Sequence, residues 1–277
     1  MKKYLLLILL SEILFFANAF AQDRQFAFAY QSNVLSKNST DLEATGTFHT
    51  GRKYFYNGLE NRIEFETGLT DRIQTSFYLN ASQKAYAPNK DTLGGIADAT
   101  KSGITSESEI SVSNEWKINL LNPSVKPIGL ALYAELTASP KYYEIENKLI
   151  LDNRTEKNIL AFNLTNEYEV GYYSENGRTK QKQEDEVELN FGCMHLFKPN
   201  FGAGLEMRNS NEIESGSWNF SALFGGPALF YSGEKHFLIL TILPQWTNLR
   251  KTEDAPNNLV LNAHEKLEVR MLWGFSL

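Results

Sequence analysis

Twenty charged side chains in this sequence share one phase of a two-residue alternation. The acids are Glu43, Glu64, Glu66, Glu107, Glu109, Glu115, Glu135, Glu144, Glu146, Glu167, Glu169, Glu188, Glu206 and Glu268. The bases are Arg62, Lys117, Lys148, Arg208, Lys266 and Arg270. Fourteen acids against six bases leave an acidic excess of eight. If the apolar phase faces lipid, these groups face inward. Rings of carboxylates lower the energy of cations in a narrow aqueous passage. The competing arrangement is a salt-bridged plug that conducts nothing. Six bases cannot neutralise fourteen acids, so that plug would still need water or protons among its carboxylates. The candidates for an aqueous lining are Arg62, Glu64, Glu66, Glu107, Glu109, Glu115, Glu144, Glu146, Lys148, Glu167, Glu169, Glu268 and Arg270.

Other chemistry has less support. Hydrolysis needs a nucleophile within reach of a base that a third group orients. On a lipid-facing barrel rim, that calls for His and Ser two apart on one strand. The residues two after His49, His195, His236 and His264 are Gly51, Phe197, Leu238 and Lys266. Asp91 and Asp98 share one loop and Asp254 stands in another, which does not suggest a paired-Asp protease. The histidines have no metal-ligand spacing. Cys193 is the single cysteine, which excludes an intrachain disulfide and a cysteine-rich metal site. No enzyme activity, cofactor or metal is expected.

The elements that must position these charges are strands. Twelve segments alternate with period two, at about 40–53, 59–69, 71–82, 104–118, 126–138, 142–153, 158–172, 184–197, 200–209, 217–231, 235–246 and 264–277. In one, Ile128, Leu130, Leu132, Ala134 and Leu136 oppose Gly129, Ala131, Tyr133 and Glu135. In another, Leu160, Phe162 and Leu164 oppose Ala161, Asn163 and Thr165. A 3.6-residue period would not sort them so. Most segments reach the roughly 9–11 residues a tilted strand needs to cross a membrane.

Connection lengths alternate as well. Tight turns fall at Leu69-Thr70, Leu121–Val125, Arg154–Lys157, Pro199 and Ser232–Glu234. Longer connections fall at about 83–103, 173–183, 210–216 and 247–263, and they read as solvated loops. Outer-membrane barrels have short periplasmic turns and longer outer loops. Aromatic residues gather at both ends of the segments. Tyr54, Phe55, Tyr56, Tyr142, Tyr143, Tyr172, Trp218 and Trp246 fall at the loop side. Trp116, Phe197, Phe201, Tyr231, Trp273 and Phe275 fall at the turn side. Two such girdles suit the two interfaces of a membrane. Gly225-Gly226-Pro227 predicts a bulge or kink in the tenth segment. Residues 22–39 read either as a short extra strand or as an arm folded into the barrel mouth. Arginine at Leu132 or Phe162 should be costly, and at Gly129 or Asn163 cheap.

Lys2 and Lys3 precede an apolar run from Tyr4 to Phe16, and Ala19-Phe20-Ala21 predicts cleavage after Ala21. The expected organisation is a signal peptide over 1–21 and one barrel domain over 22–277. Beyond Phe16 no run of 18 apolar residues could span a bilayer as a helix. A closed barrel still could, because closure pairs every backbone group between strands. Cleavage would remove Lys2, Lys3 and Glu12, changing 27 basic and 33 acidic residues to 25 and 32, a net charge of −7. That balance gives no electrostatic reason to bind nucleic acid.

The run Asn61-Arg62-Ile63-Glu64-Phe65-Glu66-Thr67-Gly68-Leu69-Thr70-Asp71-Arg72-Ile73-Gln74 resembles a hairpin of bacterial outer-membrane β-barrel proteins of the porin or transporter kind. Glu144-Ile145-Glu146-Asn147-Lys148-Leu149-Ile150-Leu151 and Gly225-Gly226-Pro227 are similar to signatures in an uncharacterised branch of that group. The resemblance implies an exported outer-membrane barrel and carries over no catalytic residue or substrate. The expected fold is therefore all-β: a single antiparallel transmembrane β-barrel of about 12 strands in a Gram-negative outer membrane. The expected partners are outer-membrane lipid, the barrel-assembly machinery and small solutes. Passive passage of small hydrophilic solutes, with a preference for cations, is the leading expectation. A non-conducting structural or binding barrel is the alternative, and a lipid hydrolase is a more distant one.

Overall fold

The computed structural model describes residues 24–87, 103–214, 217–252 and 255–277. The predicted signal peptide, most of the 83–103 connection and Asp254 lie outside the described residues. The described residues form twelve strands: β1 (Thr40–Thr50), β2 (Tyr56–Thr70), β3 (Ile73–Tyr86), β4 (Thr105–Leu121), β5 (Gly129–Ala138), β6 (Tyr142–Arg154), β7 (Asn158–Glu175), β8 (Arg178–Lys198), β9 (Phe201–Glu214), β10 (Ser217–Ser232), β11 (His236–Asn248) and β12 (Leu267–Ser276). Each pairs antiparallel with its sequence neighbours, and β1 pairs with β12 to close the barrel. The seam runs in unbroken register from Asp41 opposite Ser276 to Thr50 opposite Leu267.

The two phases of each strand have opposite surroundings. Outward Leu132, Leu136 and Phe162 remain exposed, whereas inward Ala131, Tyr133 and Asn163 are buried. An apolar exterior over polar interior positions suits lipid outside the wall. Trp116, Phe197, Phe201, Tyr231 and Trp273 are exposed towards the end with the short turns. Tyr143, Tyr172, Trp218 and Trp246 are exposed towards the opposite, loop end. Tyr142 departs from the predicted girdle and turns inward.

Two predicted loops are strands. β7 runs on to Glu175 and β8 starts at Arg178, with only Asn176-Gly177 between them. Both turn residues have positive φ, 51° and 74°, as a two-residue hairpin with the strand twist requires. β9 and β10 likewise extend through most of 210–216. The polar extensions carry no apolar face, so hydrophobic alternation cannot reveal them. They are held by ladder pairing and by polar side-chain contacts such as Lys180–Glu175 at 3.7 Å. The 249–266 connection also departs from a solvated loop. Ala255 and Val260 are buried, and the Val260 amide donates to Gln245 Oε1 at 2.6 Å. At Gly225–Pro227 the ladder to β9 continues while registered pairing to β11 lapses between Phe224 and Ala228, matching the expected irregularity. A Cβ at Gly226 would collide with the Ile242 carbonyl, so the close approach there needs glycine.

Residues 24–39 resolve the open alternative as an arm inside the barrel. From the β2–β3 turn, where Asn38 N–H donates to the Gly68 carbonyl at 2.8 Å, the arm crosses to the far wall. Leu35 N–H donates to Gln74, Ser32 N–H to Asp152, and Tyr30 N–H to Asn163. Glu206 of β9 accepts the amides of Ala27, Phe28 and Ala29 at 2.7–2.9 Å. Phe26 is fully buried among inward residues that include Met194, Phe224, Ile239 and Leu272. Burying a phenylalanine is worth about 1.5–3 kcal/mol, and each bond to the Glu206 carboxylate about 1.5–3 kcal/mol before desolvation. The arm also reverses one expectation about arginine tolerance. Asn163 exchanges two hydrogen bonds with Tyr30, and a Cβ at Gly129 would strike Ser32 and Asp152. Neither position has room for arginine.

Candidate solute-binding cup

The arm divides the lumen. On its loop-end side lies a cavity of about 660 Å³ whose floor includes Arg24, Phe28 and Tyr30. Tyr30 is fixed from two sides, with the Arg24 guanidinium 4.3 Å and the Lys148 ammonium 4.3 Å from its ring centre. Tyr133 meets it edge-on at 5.4 Å. Arg270 lies 3.9 Å over the Phe28 ring. These cation–aromatic contacts, worth up to about 2 kcal/mol when desolvated, join the floor to β5, β6 and β12.

Acids are denser on one arc of the cup wall than on the other. Glu109, Glu135, Glu144, Glu146, Glu167, Glu169, Glu186 and Glu188 come from the consecutive strands β4 to β8. Arg62, Lys84 and Arg270 come from β2, β3 and β12 on the facing arc, with Arg24 beside them. Several charges are paired. Arg62 reaches Glu135 at 3.1 Å, Lys148 reaches Glu146 at 2.6 Å and Lys141 reaches Glu109 at 3.2 Å. Arg208 bridges Glu188 and Glu268. Ladder register places Glu144 opposite Glu169 and Glu146 opposite Glu167, and Glu167 in turn faces Glu186 on β8. Glu144, Glu167 and Glu169 make no ion pair within 4.0 Å with any base among the described residues, so this stretch of wall carries concentrated negative charge. Like charges side by side favour a cation between them.

Of the predicted lining residues, Arg62, Glu109, Glu144, Glu146, Lys148, Glu167, Glu169 and Arg270 stand around this cup. Glu64, Glu66 and Glu115 gather away from it, near the turn end of β2–β4. Glu268 is buried against Arg208. Glu107 stands beyond the cup lining, where it accepts the Tyr86 hydroxyl at 2.6 Å. The acidic excess is also smaller than the strand phase suggests, since the cup lining holds nine acids and eight bases. The additions are Glu60, Glu186, Arg24, Lys84, Lys141 and Lys182. Glu60 and Glu186 share the inward phase of Arg62 and Glu188 and were readable on that basis. Lys84 and Lys182 lie where strands outrun their apolar pattern, and Arg24 belongs to the arm.

Among the described residues, the histidines stand in separate contacts. His264 Nε2 lies 3.0 Å from Ser210 Oγ, but Ser210 is fully buried and donates its proton to Glu186. Burial pushes His264 down to about 4, leaving it neutral near neutral pH. His49 Nδ1 is bonded to Glu265 at 2.5 Å, and His195 to Asn158 at 2.8 Å.

A family model covers residues 18–277, nearly the whole chain. The chain belongs to the DUF6662 family, a family of unknown function. This DUF6662 barrel is similar in fold to solved outer-membrane proteins. It is similar to the COG4313 outer membrane channel from Pseudomonas putida F1, with a TM-score of 0.61, 10% identity, and coverage of 89% of this chain and 98% of that one. The beta domain of the Bordetella autotransporter BrkA matches with a TM-score of 0.56 and 10% identity over 87% of this chain and 100% of that one. The NanC porin matches with a TM-score of 0.51 and 10% identity over 85% and 100%. At such identities the likeness is one of fold. No curated protein sequence matches the chain. The DUF6662 chain has the fold of outer-membrane β-barrels, a class whose turn end is periplasmic and whose loop end faces outward.

Proposed function

We propose that this barrel is a passive channel for small hydrophilic solutes with a preference for cations, and that residues 24–35 close its turn end. The observation that carries this reading is the cup itself. It is polar, lies on the loop-end side of the arm, and has an acid-rich wall on β4–β8. A cation entering from outside meets Glu144, Glu167 and Glu169 before it reaches the Arg24–Tyr30 floor. Passage then requires the arm to unseat, because the arm spans the lumen from Gln74 to Glu206. The arm's many bonds favour a second reading, a barrel that binds solute without conducting.

Planar-bilayer recordings under a KCl gradient separate the two. The parent barrel should open rarely. A variant lacking residues 24–35 should conduct steadily with a cation-selective reversal potential. Replacing Glu144, Glu167 and Glu169 by glutamine in that background should move the reversal potential towards zero. A folded arm-deleted barrel that stays silent would refute the channel and leave the binding reading. Anion selectivity would refute the role of the acidic wall.

A further inference from the structure

Near the turn end, three carboxylates converge across β2 and β4. Ladder register sets Glu66 opposite Ser76 and Ser76 opposite Glu115, and it sets Glu64 opposite Tyr78. One oxygen from each of Glu64, Glu66 and Glu115 lies within 4.8 Å of the others. We propose that these three side chains form a Ca2+ site that ties β2 to β4 beneath the arm.

Two independent observations support a cation there. The first is an unsatisfied atom. Glu115 is 1% exposed, and its Oε2 accepts the Tyr78 hydroxyl, while its Oε1 is buried with no hydrogen-bond partner. A buried carboxylate oxygen without a donor is costly, and a metal ion removes that cost. The second is local charge. Glu43, Glu64, Glu66 and Glu115 interact with one another, and the nearby cations are Arg24, which is bonded to Glu43, and Lys117. Arg62 is paired with Glu135. Acids outnumber bases around the cluster, and a divalent cation offsets that excess.

The donor set selects the ion. Carboxylate oxygens suit hard cations and not soft ones. Two oxygens bound to one Ca2+ can be separated by up to about 4.6–5.2 Å, twice the usual 2.3–2.6 Å bond. The observed spread fits inside that span. Mg2+ demands near-ideal octahedral geometry and dehydrates reluctantly, whereas Ca2+ accepts an irregular set of mono- or bidentate carboxylates such as this one. The Gln74 and Ser76 side chains bond to Glu66 Oε1 and hold that carboxylate in place.

The test uses Tb3+ as a luminescent stand-in for Ca2+ on the refolded full barrel. Tyr78, bonded to Glu115, serves as the sensitiser. Saturable Tb3+ emission displaced by Ca2+ but not by equal Mg2+ is expected. Glu64→Gln and Glu115→Gln should each weaken it on the order of tenfold or more, with the heat-modifiable gel mobility of the folded barrel retained. In parallel, Ca2+ should raise the unfolding temperature of the parent and leave that of Glu64→Gln unchanged. Absence of saturable emission from the folded parent would overturn the site. So would emission that survives both substitutions, because that ion sits among the cup acids instead. These readouts are independent of conductance, so the site and the channel stand or fall separately.

Discussion

Replacing Glu206 with alanine should unseat the arm while leaving the barrel closed. The Glu206 carboxylate accepts the amides of Ala27, Phe28 and Ala29 at 2.8, 2.7 and 2.9 Å, and the Thr241 hydroxyl at 2.6 Å. Alanine leaves four buried donors without an acceptor. An orphaned buried donor costs about 1–3 kcal/mol, and water admitted to the vacated space recovers part of it. The net loss to the seated arm should be at least about 3 kcal/mol. At 1.4 kcal/mol per tenfold, the unseated population rises roughly 100-fold. The ladder is not involved, because the Glu206 side chain points into the lumen from β9. Hydrogen exchange should therefore show the Ala27, Phe28 and Ala29 amides losing about two decades of protection while the β9 ladder amides keep theirs. Protease should also cut between 24 and 39 faster than in the parent. Unchanged protection of those three amides in a folded Glu206→Ala barrel would refute the claim that one carboxylate anchors the arm.

Three further outcomes follow from particular side chains. Leu132→Arg places a charge on the lipid face and should cost about 2–4 kcal/mol near the membrane midplane, whereas Ser82→Arg, which projects into the cup, should cost under about 1 kcal/mol; equal denaturation midpoints would invert the facing of the wall. Gly192→Ala puts a Cβ 2.7 Å from the Phe26 ring, so it should speed proteolysis of the arm with β8 pairing preserved, and unaltered cleavage would show that Phe26 is not lodged there. Gly177→Val forces a β-branched residue to a φ of 74° at the β7–β8 hairpin and should cost on the order of 1–3 kcal/mol, read as faster exchange at Glu175 and Arg178 and unchanged exchange at the membrane-facing Leu164.

Strand count, order and facing were legible because a lipid-exposed wall forces apolar residues into every second position. β5 and β7 display this cleanly. The rule weakens wherever the surroundings cease to alternate. Past the membrane, β7 and β8 have water on both faces, so their polar ends read as loop although the ladder continues to Asn176-Gly177. In β11 the reverse holds. Phe237, Ile239 and Leu243 are buried inward while Leu238 and Ile242 face out, because the arm presents Phe26 and Phe28 to that side of the lumen. Both phases of β11 are therefore apolar, and no alternation reports that the interior is packed. The site was legible in part for the same reason. Inward glutamates follow from phase, but their sorting into cup, arm anchor and turn-end cluster depends on where residues 24–39 cross. That path is set by single contacts such as Glu206 and Asn163, which leave no periodic trace.

The arm also imposes an order of events on assembly. Its anchoring carboxylate lies 177–179 residues away along the chain, and the seam that shuts the ring joins the first strand to the last. Contacts between such distant residues carry a large loop-closure entropy and form slowly. An arm lying across the half-built sheet when Asp41 meets Ser276 is enclosed as the wall curls round it. An arm left outside must afterwards thread through the narrow turn end and displace water from Phe26's pocket. Folding should thus divide into two populations, one that encloses the arm at closure and one that admits it later. The ratio between them is fixed by a race between residues 24–35 finding β9 and β1 finding β12.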